Sequence, residues 1–465
     1  MTADLAPSRA RAVAEFVAGH RLADLPESCR ELARRGILDA LGCGLYGHTL
    51  GHIGWATGLG RGSQPQSHIW GEPELTDAGG AALANGTAVH ATEMSETFIR
   101  AVVHPGNVIV PAALAVAERE CSSGAATLAA VALGYEVLIR YGLACGTGAL
   151  LDQGLHTFSL LGVFGAAAAA AKLCFDDDAT AIEHTLAIAA CLAPTTLLDA
   201  ARAGAGIKDL YEGYAAQLGV QAADLVDRGA TGPPGAADLW LRAVIRQPRP
   251  EALTDELGEQ WRMDSGGLRI KMLPVMGLVQ PTTAAVRELL SDHDLAPAQI
   301  ASIEVHSTRR AVIAQETRPG SLTAAKASIP FTVAALITYP HRWRDDPYLL
   351  DFFTPELLHD EQVLRLASRC TVRVDEEFEH NFESAERMRY ESRVVIALTD
   401  GDKREGYADI WPATSGLRFD QVVPKFLACA GRRLPPAAGH QVVEAVRRLE
   451  QLPDLTPLVR ALAGG

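Results

Sequence analysis

The densest chemistry-bearing stretch of the sequence runs from Asn85 to Glu118. Between His90 and His104 it holds two histidines, two carboxylates (Glu93, Glu96), two threonines (Thr92, Thr97) and Arg100. A helix over Gly86–Phe98 would put His90, Glu93 and Thr97 on one face, at i, i+3 and i+7. A histidine and a carboxylate on one face can exchange protons as an acid–base pair. The H-x-x-E order is also part of a helical metal site, but no second pair at helical spacing completes one. A solvated polar face fits the spacing equally well. His104-Pro105-Gly106-Asn107 reads as a turn, with Asn107 as N-cap of the following helix. His104 then stands just before a helix N-terminus, where backbone donors favour anions.

Three further positions offer related chemistry. His156 precedes the small-residue helix of Gly162–Leu173, where a lone histidine is more often structural than catalytic. Gly204-Ala205-Gly206-Ile207-Lys208 is a glycine-rich turn opening a helix, an arrangement that can cradle an anion. It lacks the spacing of a nucleotide-binding loop. Lys271 lies near the change of texture described below; it could pair with a carboxylate or be a solvated lysine.

The elements that must carry these residues fall into two textures. From Ser8 to about Gln247 alanine is abundant and apolar residues recur every three or four positions, as in Ala10–Ala18, Glu27–Leu45, Ala125–Leu143, Leu160–Leu173 and Ala179–Leu192. This predicts a helical bundle. Beyond Pro248, Ile300–His306, Thr371–Asp375 and Arg393–Thr399 are rich in β-branched residues, and an Asp-Gly turn leads to a return strand over Lys403–Tyr407. Helices are expected between them at Pro281–Leu290 and Ala324–Leu336. From Phe419 the pattern is helical again, over Val422–Ala430 and His440–Leu449. The fold class is therefore mainly α with an α+β second domain. The helical domain is expected over 1–265 and 406–465, and the α+β domain over 266–405.

The 465 residues suffice for two sizeable cores. With 42 basic and 56 acidic residues the net charge is −14, which leaves no basic surplus for nucleic acid or an anionic membrane. The eight scattered cysteines read as reduced core residues of a cytoplasmic protein. The N-terminus has no apolar leader, and the run Gly162–Ala171 is too short to span a bilayer.

Taken in order, several of these stretches resemble the MmgE/PrpD family, which includes methylcitrate dehydratases, cis-aconitate decarboxylases and iminodisuccinate epimerases. The resemblance rests on Ile37–Leu45, Asn85–Glu118, Gly134-Tyr135-Glu136-Val137, Gly154–Lys172, Lys208–Ala223, Lys271–Thr283 and Ala325–Phe331. It implies a large helical domain with a smaller α+β lid domain, a homodimer, and no metal or organic cofactor. It places the pocket on Glu93, Thr97, His104, His156, Lys208 and Lys271. The sequence departs from the family at Glu93-Met94-Ser95-Glu96-Thr97, where an Asp-aromatic-Asp-Asp-Thr/Ser run is usual. The loop to His104 is one residue longer, and Phe331 stands where tyrosine is common. The implied chemistry is carbanion-like charge beside a carboxylate, stabilised by Lys208 and Lys271. His104 and His156 would move the proton, Glu93 would orient one of them or act as base, and Thr97 would bond the substrate. Arg100, in the longer loop, is the candidate for specificity. The expected function is a cofactor-independent hydro-lyase on a small di- or tricarboxylate. An epimerase or decarboxylase, or a carboxylate-binding homologue without activity, is the alternative.

Overall fold

The computed structural model describes residues 8–62, 64–384, 389–410 and 416–464. The first seven residues, expected to carry no leader, lie outside them. The chain is mainly α and divides into two compact units. One comprises Met1–Leu198, Asp209–Ile270 and Leu417–Gly465; the other comprises Asp199–Lys208 and Lys271–Gly416.

The first unit is built from long helices: α1 (Arg9–Gly19), α2 (Glu27–Gly47), α3 (Ala78–Ala91), α4 (Pro105–Arg119), α5 (Gly124–Cys145), α6 (Thr157–Phe175) and α7 (Ala179–Leu192). Helix α8 (Ile207–Asp227) enters this unit at Asp209. Every residue of α3 is buried, polar Asn85, Thr87 and His90 included, so it exposes no face to solvent and sits among α2 and α4. Alanine explains how so many helices pack closely. Ala78, Ala82, Ala112, Ala166, Ala170 and Ala216 form one core with Val108 and Val220, and short side chains let the backbones approach. Helices α5 and α6 are long and apolar enough to cross a membrane, yet 94% and 78% of their apolar windows are buried inside the protein. The short run Gly162–Ala171 is thus part of a 19-residue helix.

The second unit holds α9 (Gln280–Asp292), α10 (Leu322–Lys326), α11 (Ile329–Thr338) and a four-stranded sheet. Its strands are β1 (Ile300–Ser307), β2 (Cys370–Val374), β3 (Glu391–Leu398) and β4 (Lys403–Asp409). The spatial order is β2-β1-β3-β4; β2 runs parallel to β1, and the other pairs are antiparallel. Helix α9 packs on β3 and β4. The single helix expected over Ala324–Leu336 is broken: Ser328 caps α11, its Oγ accepting from Phe331 N at 3.0 Å.

The chain then returns to the first unit with α12 (Phe419–Ala430) and α13 (Pro436–Arg447). Helix α12 lies along α2, close enough that a Cβ on Gly42 would come within 3.1 Å of Phe426 Cα. All eight cysteines are free, but Cys121 and Cys191 are exposed, so these two are not core residues.

Candidate active site

The helix expected to run through Phe98 ends at Ala91. Thr92 closes it, its hydroxyl donating to Val89 O at 2.7 Å, and Glu93 turns into the left-handed region at φ 58. Thr97 and Phe98 are extended and pair antiparallel with Arg269 and Leu268. His90, Glu93 and Thr97 therefore do not share a helical face. Val102 also has a positive φ, 45, which is costly for a β-branched residue. Strained residues thus lie at both ends of the segment leading to His104, a pattern common at functional sites.

What draws the chain out of the helix is buried charge. Asp39 on α2 accepts from Glu96 N at 3.0 Å and from Lys425 Nζ, on α12, at 2.5 Å. Lys425 Nζ also donates to Met94 O at 2.6 Å. Both side chains are 1% exposed. Burial works to lower the Lys425 pKa, but the Asp39 carboxylate beside it more than offsets this and holds it above the ordinary lysine value. Arg35 Nη2 lies 3.9 Å from Glu96 Oε2. Burial pushes the Glu96 carboxyl up to about 7 although Arg35 pulls the other way.

His104 is itself the N-cap of α4, with Pro105 as the first helical residue; Asn107 is inside the first turn rather than capping it. The His104 side chain makes no cap bond. Its Nδ1 lies 2.9 Å from Glu96 O. A carbonyl only accepts, so Nδ1 carries a proton, and in the neutral ring the lone pair is on Nε2. His156 precedes α6 in the same way. Its backbone N–H donates to Thr196 O at 2.8 Å, and its carbonyl accepts from the Thr196 hydroxyl at 3.2 Å. Thr157, next to it, donates to Val102 O at 2.6 Å and so ties the strained loop to α6.

Phe158 gathers these rings. Its centroid lies 4.3 Å from that of His104, 4.1 Å from His156 and 5.5 Å from His90. Tyr211 of α8 stands 5.2 Å from His156. His90 Nδ1 is 3.4 Å from Glu212 Oε2, and Asn107 Nδ2 donates to the same oxygen. Two glycines allow that pairing. Gly213 meets α3 so closely that a Cβ there would lie 2.3 Å from Leu83 O, and one on Gly86 would lie 2.8 Å from Gly213 Cα.

The structure thus brings His104 and His156 together with His90, which it pairs with Glu212 rather than Glu93, and with Asn107, and adds Phe158 and Glu212, to which the sequence reading gave no role. Glu93 is buried; its backbone N–H donates to His90 O at 3.1 Å. The Thr97 hydroxyl is turned toward Val103 O at 3.4 Å, and Arg100 is exposed. Arg269, 2% exposed, stands directly opposite Thr97 in the two-stranded ladder. Lys208, in the first turn of α8, and Lys271 are buried and belong to the second unit. Among the described residues no group of three or more histidine, cysteine or carboxylate side chains could hold a metal ion.

The family models described as the MmgE/PrpD N-terminal domain and the MmgE/PrpD C-terminal domain match residues 11–245 and 273–451. A cis-aconitate decarboxylase-like protein of Aspergillus oryzae is 25% identical, over 95% of this chain and 94% of its own. The cis-aconitate decarboxylase of Homo sapiens is 26% identical, over 97% of this chain and 94% of its own. That of Aspergillus terreus is 24% identical, over 94% and 92%.

Proposed function

Because the chain belongs to the MmgE/PrpD family and is an enzyme of lyase type, we propose that it decarboxylates a small unsaturated tricarboxylate of the cis-aconitate kind. The observation that carries the reading is the convergence of His90, His104 and His156 on the ring of Phe158. In such a reaction the bond to one carboxylate breaks and CO2 departs. The electron pair stays on carbon, delocalised toward the remaining carboxylates. An imidazolium then delivers a proton to that carbon and is reprotonated from water. His104 Nε2 is the proposed donor, with His156 as the second proton carrier. Lys208, Lys271 and Arg269 are the proposed partners of the substrate carboxylates, where positive charge lowers the cost of the carbanion. Glu93 and Thr97 are proposed to orient the substrate, and Arg100 to adjust specificity.

Dehydration is the second reading, favoured by the proton on His104 Nδ1. A neutral imidazole of that tautomer has its lone pair on Nε2, as needed to remove a proton beside a carboxylate. By family resemblance we also propose a cytosolic homodimer.

The test is incubation with cis-aconitate, methylcitrate and iminodisuccinate in deuterated water, followed by NMR. The expected outcome is CO2 and a dicarboxylate bearing one new deuterium from cis-aconitate. Replacing His104 or His156 with Gln should lower kcat by roughly 10²–10⁴-fold. Loss of water from methylcitrate alone would favour the dehydratase reading. No turnover and no exchange with any of the three would sink both.

A further inference from the structure

Lys425 and Asp39 form a buried ion pair that the proposed chemistry does not use. An ion pair in such a place does not explain itself through stability. Taking both charges out of water costs about what their attraction returns, and apolar residues of similar size often serve as well. The bonds the pair makes suggest a different reason. The two Asp39 oxygens divide their work: Oδ2 accepts from Glu96 N and Oδ1 from Lys425 Nζ. Lys425 spends a second donor on Met94 O. Two peptide groups within residues 94–96 are thereby held by side chains of α2 and α12. Beyond Glu96 the chain is fixed again, through the ladder of Thr97–Phe98 with Leu268–Arg269. The Glu96 carbonyl lies between these two anchors and accepts from His104 Nδ1. Among the described residues, Arg35 and Tyr135 also pack around the Glu96 side chain; Arg35 Nη2 lies 3.9 Å from Glu96 Oε2, and its Nη1 donates to Leu417 O at 2.9 Å.

We propose that Lys425 and Asp39 are positioning residues for His104: by fixing residues 94–96 they aim the Glu96 carbonyl at Nδ1 and keep Nε2 as the proton-transferring nitrogen. The assignment rests on the proposed role of His104 but makes a prediction that needs no substrate. With ¹⁵N-labelled histidine, and His104 assigned by loss of its signals in His104→Gln, neutral His104 of the wild-type protein should carry its proton on Nδ1. In the Asp39→Asn/Lys425→Met double variant, which removes both charges together, His104 should become a mixture of the two tautomers. Asp39→Glu keeps both charges but moves the anchor by one bond, so it guards against a double variant that does not fold. It should shift the tautomer ratio with little change in Tm. With a turned-over substrate, kcat should fall by about 10²-fold for the double variant while KM stays near the wild-type value, as for a reacting group held out of place. A wild-type His104 protonated on Nε2 overturns the proposal. So does an Asp39→Glu protein whose tautomer ratio and kcat match the wild type. If wild type turns over no substrate but the tautomer shifts as stated, the clamp stands and the lyase reading fails alone.

Discussion

Glu96 has a carboxyl group whose protonation state is set by its surroundings. It is fully buried, and burial raises it from 4.5 to about 7 against the pull of Arg35. Between those values the folded protein keeps a proton that the unfolded chain has released. The stabilisation from this group is therefore complete below about 4.5 and is lost as pH rises through about 7. Glu96→Gln is neutral at every pH and escapes that loss. Its stability relative to wild type, read by urea unfolding, should rise between about pH 5 and about pH 8, by on the order of 3 kcal/mol for a shift of this size. A difference that is flat with pH would mean that Glu96 is charged throughout. His90, His104 and His156 were legible as candidates because a histidine advertises its chemistry by type. Phe158 and Glu212 were not, because a ring and a carboxylate become site residues only through what packs against them. Glu212 even lies within the run Lys208–Ala223 that supported the family resemblance, but nothing in that run points to His90.

The meeting of α3 and α8 shows how an element controls a site. Only glycine fits at position 213, since a Cβ would fall 2.2 Å from Thr87 Oγ1 and 2.6 Å from Thr87 N. Backbone atoms cannot turn aside as a flexible side chain would. Gly213→Ala should therefore push the helices apart, cost about 1–3 kcal/mol in denaturant unfolding, and separate Glu212 from His90. An unchanged unfolding midpoint would show that the crossing has slack. The end of α3 marks the limit of periodicity as a guide. Met94 and Phe98 continue the apolar spacing, and no glycine or proline signals a stop, so the pattern extends past Ala91. The stop is tertiary, supplied by Asp39 and Lys425 from other helices. The break at Ser328 is different. A serine two residues before Pro330 is a readable cap signal, outweighed in the sequence reading by the apolar run on either side.

At the scale of the molecule, the first unit is assembled from three separated stretches, and its last one, Leu417–Gly465, supplies the helix that lies along α2. The change from helical to β-branched texture made the two classes of structure legible. The capture of Asp199–Lys208 by the second unit was not, because ten residues carry no texture of their own. A chain ending at Gly416 loses Lys425, Phe426 and the cover of α2, and leaves Asp39 without its lysine partner. It should be recovered mainly as aggregate, or bind ANS strongly if it stays in solution; a monomer with native near-UV circular dichroism would contradict this. The same arrangement constrains the order of events at the ribosome. Lys425 follows Asp39 by 386 residues. While the earlier helices have already left the ribosome and are free to collapse, the lysine is still being decoded or is inside the exit tunnel. The segment before His104 therefore waits for nearly the whole message to be read, and any stalled or prematurely released chain carries its histidines without the anchor that sets their geometry.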